Sequence, residues 1–387
     1  MTLPIYENDL FGVPTAPRLK GELARRFGVP PFSVLDARQG PWQARKRAWL
    51  RLGIQSELGR GVEGPARESA RIGTGTLPLD RPDPVNLGPA KAFNSGSSGD
   101  LSAKLKKTDY VRGLTYQMTN DPYDRDATDP AASGNGTSIF DPVLCELLIN
   151  WFSAPGAQIV DPFAGGSVRG VVAGLLGRRY WGCDLSAPQI AADREQGRTL
   201  LPPGTPVGWH NGDARAWLPS APEADLILTC PPYYNLEVYS DDPRDLSAMG
   251  WPAFRQAFDD IAGECGAALR PDRFACIVVG DVRTPFADGG AYRDLPGAVT
   301  EAFRRAGMRL YNSLILVTAV GSLAVRADRQ FRMSRKVGTT HQTILVFVKG
   351  DGRRATDYVS GLSYEQRQRA VVDAREARRG AVAPKDE

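Results

Sequence analysis

Thr229-Cys230-Pro231-Pro232-Tyr233-Tyr234 follows directly on the apolar run Asp225-Leu226-Ile227-Leu228. Pro231 and Pro232 carry no N–H, so the carbonyls of Cys230 and Pro231 precede nitrogens without hydrogen, and the rings stiffen both residues into extended geometry. The loop therefore offers acceptors with no competing donors. That arrangement suits an exocyclic aromatic amine, whose lone pair is delocalised into its ring. Acceptors gripping both amine hydrogens help localise the lone pair for attack on an electrophilic carbon, and positioning and electrostatics then do most of the catalysis. Tyr233 adds a π-face on which an extruded base can stack.

A second group lies upstream, in the segment from Asp161 to Gly170, Asp-Pro-Phe-Ala-Gly-Gly-Ser-Val-Arg-Gly, at the end of one apolar run and the start of a helical pattern. Glycines there let the backbone approach a ligand closely, and the helix offers its N-terminal N–H groups and dipole. Asp184 stands nineteen residues after Gly165, at the tip of the next strand pattern, where a carboxylate can accept from both hydroxyls of a ribose. Asp213 closes a third. Three successive strands thus end in acids on the edge where open α/β sheets bind ligands. The pyrophosphate fingerprint G-x-G-x-x-G is absent. A nucleoside without pyrophosphate, carrying a positive group near Asp161, fits this turn, and S-adenosylmethionine is such a ligand.

These residues need a scaffold that ends strands side by side. Strand-like runs occur at 157–163, 179–185, 206–213, 224–230, 274–282, 309–319 and 343–350, and helical patterns at Pro142–Phe152, Ser167–Leu176, Ala187–Leu200, Trp251–Leu269 and Leu295–Ala306. The alternation predicts an α/β fold with a seven-stranded, mostly parallel sheet. No helix is expected between the last two strands, so they are expected to finish the sheet as an antiparallel hairpin. The expected organisation is a basic N-terminal block (1–58), a Gly/Pro/Ser-rich linker (59–103), the main domain (104–350) and a charged helical tail (351–387). In the N-terminal block, Trp42, Trp49, Leu50 and Leu52 interleave with Arg45, Lys46, Arg47 and Arg51. This reads either as a satellite helix packing its tryptophans on the main domain or as a contact to a DNA backbone.

Composition bounds the rest. The 387 residues are 42% hydrophobic and 24% charged, which excludes a wholly disordered or collagen-like chain. The net charge of +4 separates into +5 over residues 1–60 and −1 over the remainder. Five widely spaced cysteines with no C-x-x-C pair, and two histidines, argue for reduced thiols and against a structural metal site. No run is long and apolar enough for a membrane span, and the N-terminus lacks the pattern of a signal peptide, so a cytoplasmic location in a bacterial cell is expected.

Taken together, DPFAGGS, Asp184, Asp213 and the PPY tripeptide over residues ~105–350 resemble the S-adenosylmethionine-dependent DNA amino-methyltransferases, which modify adenine N6 or cytosine N4. The resemblance implies a Rossmann-like methyltransferase fold, S-adenosylmethionine as cofactor and double-stranded DNA as partner. It implies that Asp161, Phe163, Ala164, Gly165 and Gly166 line the cofactor, that Asp184 holds its ribose and Asp213 its adenine amine. Cys230, Pro231, Pro232 and Tyr233 would receive the target base. The basic N-terminal segment is similar to phage and prophage methylases, which places the chain with DNA modification and restriction systems. Three features depart from the family pattern: Ser167 replaces the second glycine of F-x-G-x-G, the PPY element follows the cofactor turn rather than preceding it, and Cys230 stands where Asp, Asn or Ser is usual. Cysteine is nearly isosteric with serine, which favours cytosine N4 over adenine N6.

Cys230 also permits a rival chemistry, covalent attack on cytosine C6 as in C5-methylation. An RNA base methyltransferase and a catalytically silent nucleic-acid-binding protein on the same fold remain open as well. For contact with nucleic acid the best candidates are Arg326, Arg329, Arg332, Arg335 and Lys336, which sit between the last two strands against a single acid, Asp328. The insertion after Tyr234 and the N-terminal block are further candidates.

Overall fold

Strict alternation along the central strands sends Ile159, Leu226, Leu228, Phe274, Cys276, Ile344 and Val346 to one face of a sheet, and Val160, Ile227, Ala275, Ile277, Leu345 and Phe347 to the other. Both faces must then be covered, and helices cover them. The computed structural model describes residue 23, residues 27–56, residue 58 and residues 139–381, apart from 237, 285–288 and 321–322; the side chains of 324–326 and 375–381 are also outside the description. The expected linker, the first part of the expected main domain and the end of the tail therefore lie outside the described residues.

In chain order the elements are β1 (Val34–Asp36), α1 (Gly40–Arg51), α2 (Pro142–Phe152), β2 (Gln158–Asp161), α3 (Val168–Leu175), β3 (Arg179–Asp184), α4 (Ala187–Leu200), β4 (Val207–Asn211) and β5 (Ala224–Thr229). They continue with α5 (Trp251–Ala268), β6 (Leu269–Val279), α6 (Leu295–Arg305), β7 (Met308–Val317), α7 (Leu323–Ser334), β8 (His341–Lys349), α8 (Gly352–Ser360) and α9 (Tyr364–Ala381). The sheet runs β1-β7-β8-β6-β5-β2-β3-β4. Every neighbouring pair is parallel except those of β8, which is antiparallel to both β6 and β7. This is the expected Rossmann-like methyltransferase architecture, an α/β sheet whose order reverses between β2 and β5.

Three details differ from expectation. The sheet has eight strands rather than seven, because Val34–Asp36 pairs in parallel with Ile315–Val317 at its edge. β7 and β8 pair antiparallel as expected, with β8 between β6 and β7, but α7 stands between them in sequence where the pattern predicts no helix. The tail forms two helices, and the first is docked: Ala355 is buried, and the Arg273 guanidinium lies 3.3 Å from the Tyr358 ring centroid.

The N-terminal block packs on the main sheet. Its helix α1 buries Trp42 and Trp49 in the same core as α2, α3 and α4. Two acids of α2 organise that contact. Asp141 caps α2 through the N–H groups of Val143 and Leu144 (2.9 and 3.2 Å) and accepts from Trp42 Nε1 (3.3 Å). Glu146, itself buried, accepts from the Arg45 guanidinium and from Trp49 Nε1 (2.7 Å). Lys46 Nζ sits 3.7 Å from Asp141. Packing therefore accounts for the tryptophans and for two of the four cations of α1, which are held by protein carboxylates.

Burying a side chain as large as Trp49 contributes about 3 kcal/mol. Trp49→Ala also leaves a cavity and strips a donor from buried Glu146, so the expected cost is about 3–5 kcal/mol. Urea unfolding followed by circular dichroism measures it; a loss under about 1 kcal/mol would mean that α1 is not part of the core.

Candidate functional site

β2 ends at the point where the strand order reverses, and the last residue of β2, Asp161, is completely buried. A carboxylate in that position requires partners. It has them: Asp161 Oδ2 accepts from Arg169 Nε (2.6 Å) and Tyr180 Oη (2.8 Å), and Oδ1 accepts from Thr229 Oγ1 (2.6 Å) and the Phe163 N–H (3.2 Å). Arg169, from α3, also donates to the carbonyls of Phe163 and Ala164. Burial opposes the charge on Arg169, but the Asp161 carboxylate outweighs it and holds the guanidinium's pKa above its ordinary value. Burial, then the same carboxylate, raises Tyr180 far above its ordinary pKa and keeps it a donor.

This network gives Asp161 a structural part beside the expected one. Its charge is neutralised by Arg169 and its lone pairs are occupied, so it shapes the glycine turn. Ala164 and Gly166 are buried as well. The Ala164 N–H donates to Cys183 O (2.8 Å), and a Cβ on Gly166 would overlap the hydroxyl and carbonyl of Ser56 in the N-terminal block. The surfaces left for a ligand belong to Phe163, Gly165 and Asp184, each only partly buried. Gly165 is left-handed (φ +50°), which turns its N–H onto Asp184 Oδ2 at 3.0 Å. Ser186 N–H donates to Asp184 Oδ1 at 2.9 Å. The Asp184 carboxylate is thereby held at the tip of β3, beside the glycine turn. Ser167, at the N-cap of α3, has a buried hydroxyl with no partner among the described residues.

Asp213 lies at the expected edge but is also committed. It caps a helical turn through the Arg215 N–H (2.9 Å), and the Arg215 guanidinium straddles both of its oxygens (2.7 Å at the closest). Burial works to raise the Asp213 pKa, yet the Arg215 hydrogen bonds prevail and lower it. A free carboxylate for an adenine amine is thus not what this residue presents.

The Thr229–Tyr234 loop leaves β5 beside the glycine turn, tied to it by the Thr229 to Asp161 bond. Tyr233 is held in place. Its hydroxyl accepts from Gln342 Nε2 at 3.1 Å and lies 3.5 Å from Cys230 Sγ. Its ring rests on Gly280 at the end of β6, where a Cβ would come within 2.8 Å of a ring carbon. Tyr234 has a left-handed backbone (φ +54°) and is buried edge-on against Trp251 and Phe254. A tyrosine in that conformation stores strain that its packing must offset. Cys230 is half-buried, whereas Cys145, Cys183, Cys265 and Cys276 are buried and burial pushes their thiols well above the ordinary pKa.

The basic candidates also reach this edge, on a helix rather than a loop. β7 ends and β8 begins at the same side of the sheet as Asp161 and Thr229, and α7 stands between them. Arg329, Arg332 and Arg335 are exposed and Lys336 is half-buried; the side chain of Arg326 lies outside the described residues. Arg332 is engaged by Asp328 at 3.0 Å.

Sequence reasoning misses Arg169, Tyr180, Arg215, Gly280, Gln342 and Ser56 as site residues. Two carry a signal. Arg169 interrupts an otherwise apolar helix, VRGVVAGL, and Gly280 ends the run FACIVV. Nothing about Gln342 or Ser56 in the sequence marks them.

No family model matches the chain, and no curated protein matches it. Among solved structures it is similar to TrmN from Thermus thermophilus, at 20% identity over 57% of this chain and 52% of that one, with a TM-score of 0.37. It is similar to a proposed DNA modification methylase from the same organism, at 26% identity over 36% of this chain and 52% of that one, TM-score 0.27. A third is magnesium protoporphyrin IX methyltransferase from Synechocystis PCC 6803, solved with bound SAM, at 11% identity over 54% and 79%, TM-score 0.36. The chain spans about half the length of TrmN and of the modification methylase.

Two outcomes follow from the geometry. Arg169→Met leaves the Asp161 carboxylate buried without its cation and is expected to cost about 3–5 kcal/mol in urea unfolding. With four thiols buried, titration of the folded protein with a disulfide reagent is expected to modify Cys230 ahead of the rest, and Cys230→Ser to abolish that fast phase.

Proposed function

We propose that this protein transfers a methyl group from S-adenosylmethionine to the exocyclic amine of a base flipped out of double-stranded DNA, with cytosine N4 favoured over adenine N6. One observation carries the reading. A Cys-Pro-Pro-Tyr loop whose two prolines carry no N–H, and a glycine turn flanked by the Asp184 carboxylate, are joined at the switch point of the sheet through Thr229 and Asp161 (2.6 Å). Ligands of open α/β sheets bind there.

The residues present fit that cofactor. Asp184 sets a partly buried carboxylate where ribose hydroxyls would lie, Gly165 stands beside it, and Ser167 holds a buried hydroxyl with no partner among the described residues at the start of α3. Phe163, stacked on Phe258 at 6.4 Å, offers an apolar wall. Asp213 with Arg215 would border the adenine as a fixed ion pair. When bound, the cofactor supplies a methyl made electrophilic by its sulfonium. The chain's own part is to grip the amine hydrogens with the Cys230 and Pro231 carbonyls, to stack the base on Tyr233, and to exclude water. Methylation would leave one amine hydrogen surplus, and the carbonyl that grips it would hold that hydrogen in line for release as a proton to solvent once the product leaves. A neutral base nitrogen is a weak nucleophile, so alignment and carbonyl dipoles are what lower the barrier.

Arg329, Arg335 and Lys336 would meet phosphates, beside the edge that holds the base. The half-buried thiol of Cys230 keeps one further chemistry in view, covalent attack on cytosine C6.

Expression in methylation-deficient bacteria, with single-molecule sequencing of the genomic DNA, tests the reading. Modified cytosine N4 in a fixed sequence context is the expected result, modified adenine N6 would move the target, and unmodified DNA from folded, abundant protein would overturn it. Cys230→Ser is expected to keep or raise activity, because serine is the better acceptor. Complete loss in that variant, with S-adenosylmethionine still bound, would favour the covalent route.

A further inference from the structure

Gly166 is a glycine for the sake of another segment. Its backbone is not left-handed, so an ordinary residue could take its conformation, yet a Cβ there would overlap the hydroxyl and carbonyl oxygens of Ser56. Ser56 belongs to the N-terminal block and is itself buried, at 3% exposure. The block therefore touches the turn that flanks the candidate cofactor site. On one side of Gly166, the Gly165 N–H donates to Asp184 Oδ2 at 3.0 Å. On the other, Ser167 keeps a buried hydroxyl with no partner among the described residues. Ser56 thus stands one residue away both from the group that aims the Asp184 carboxylate and from an unanswered hydroxyl.

Two hydrogen bonds from α4 hold the chain on either side of Ser56. The Gln55 N–H donates to Gln196 Oε1 (2.9 Å), and Gln189 Nε2 donates to the Leu58 carbonyl (2.8 Å). Gln189 and Gln196 are buried and lie two turns apart on one face of the helix. The chain therefore climbs α4 towards its Ser186 cap, the end that follows Asp184. Just before Gln55, Ile54 is buried in the core that also takes Trp42 and Trp49, and Arg45 and Trp49 donate to Glu146 of α2. Those contacts already anchor α1. What Gln55, Ser56 and Leu58 add is contact with the ligand edge, so buried contacts run without a break from α1 to the glycine turn.

We propose that the N-terminal block is a working part of the cofactor site: Ser56 is a positioning residue that sets the glycine turn, and S-adenosylmethionine binding and the docking of α1 stabilise one another. A ligand seated against Phe163, Gly165 and Asp184 fixes the turn. A fixed turn gives Ser56 a fixed surface, and Gln55 carries the constraint back to α1. Such coupling is reciprocal: what the cofactor contributes to docking, docking contributes to cofactor affinity. The proposal rests on the cofactor site at the glycine turn and holds whichever substrate accepts the methyl group.

Hydrogen exchange of the full chain, with and without saturating S-adenosylmethionine, reads one direction of the coupling and needs no variant. Amides of residues 40–56 are expected to exchange about tenfold more slowly with cofactor. Helix α8 docks at the opposite end of the sheet, after β8, and serves as the reference for general stabilisation; it should slow less. Equal slowing in α1 and α8, or protection confined to 161–186, overturns the coupling. Calorimetric titration reads the other direction. Gln196→Ala removes the acceptor of the Gln55 N–H two turns from the ligand edge and is expected to raise the Kd for S-adenosylmethionine about fivefold or more, whereas Gln196→Glu keeps an acceptor and should bind as the wild type does. A Gln196→Ala protein that melts earlier yet binds cofactor with unchanged affinity while folded marks the contact as packing alone and also overturns the proposal. A wild-type protein that binds no S-adenosylmethionine and gains no protection anywhere overturns the cofactor site beneath it, and the coupling with it.

Discussion

Taking a carboxylate out of water at the centre of a sheet is so costly that the surrounding structure must be arranged to answer it, and around Asp161 it is. Arg169 supplies the opposite charge from α3, Tyr180 a hydroxyl from β3, Thr229 a hydroxyl from β5 and Phe163 an N–H from the turn itself. Tyr180 and Thr229 come from the strands on either side of β2, and Arg169 from the helix above it. If any one of them moves, a buried oxygen loses one of its two partners. Such a pair contributes little net stability compared with apolar packing, but it tolerates a single alignment. The glycine turn and the Cys-Pro-Pro-Tyr loop are consequently held in fixed register, which positional catalysis requires.

The same logic governs the outer parts of the site. Asp184 is oriented by the backbone of Gly165 and Ser186, Asp213 by Arg215, and Tyr233 by Gln342 and by the absence of a side chain at Gly280. Each functional group is fixed by a partner outside its own position, so a change in one element is felt at the next.

That dependence on partners explains how far the sequence could be read. Strands with strict alternation, such as β5, β6 and β8, declare themselves because both faces are buried, and the acids at the ends of β2 and β3 mark the ligand edge. What the pattern does not show is the partner each acid holds. Asp161 looks like a ligand for a cation because its true cation, Arg169, sits eight residues later in what reads as a helix surface. Asp213 looks free because Arg215 is an ordinary neighbour in sequence. β1 is too short to show a period, and its partner β7 lies far along the chain. α7 is too polar to show an apolar stripe and reads as a loop. The surplus of positive charge at the N-terminus misleads for a related reason: Arg45 and Lys46 are answered by Glu146 and Asp141, about a hundred residues away, and hold the fold together.

The parallel pairing of β1 with β7 has a consequence for how the protein comes into being. β1 and α1 are among the first described segments to leave the ribosome, yet Val34 aligns with Ile315, near the other end of the chain. Contacts so distant in sequence are closed late, because the entropy of a long loop must be met before any pairing is gained. Throughout synthesis Trp42 and Trp49 must wait, first for α2 and then for the completed sheet. β1 is thus among the last strands to be paired, and nascent chains stalled before β7 would leave its backbone edge without the strand that completes it.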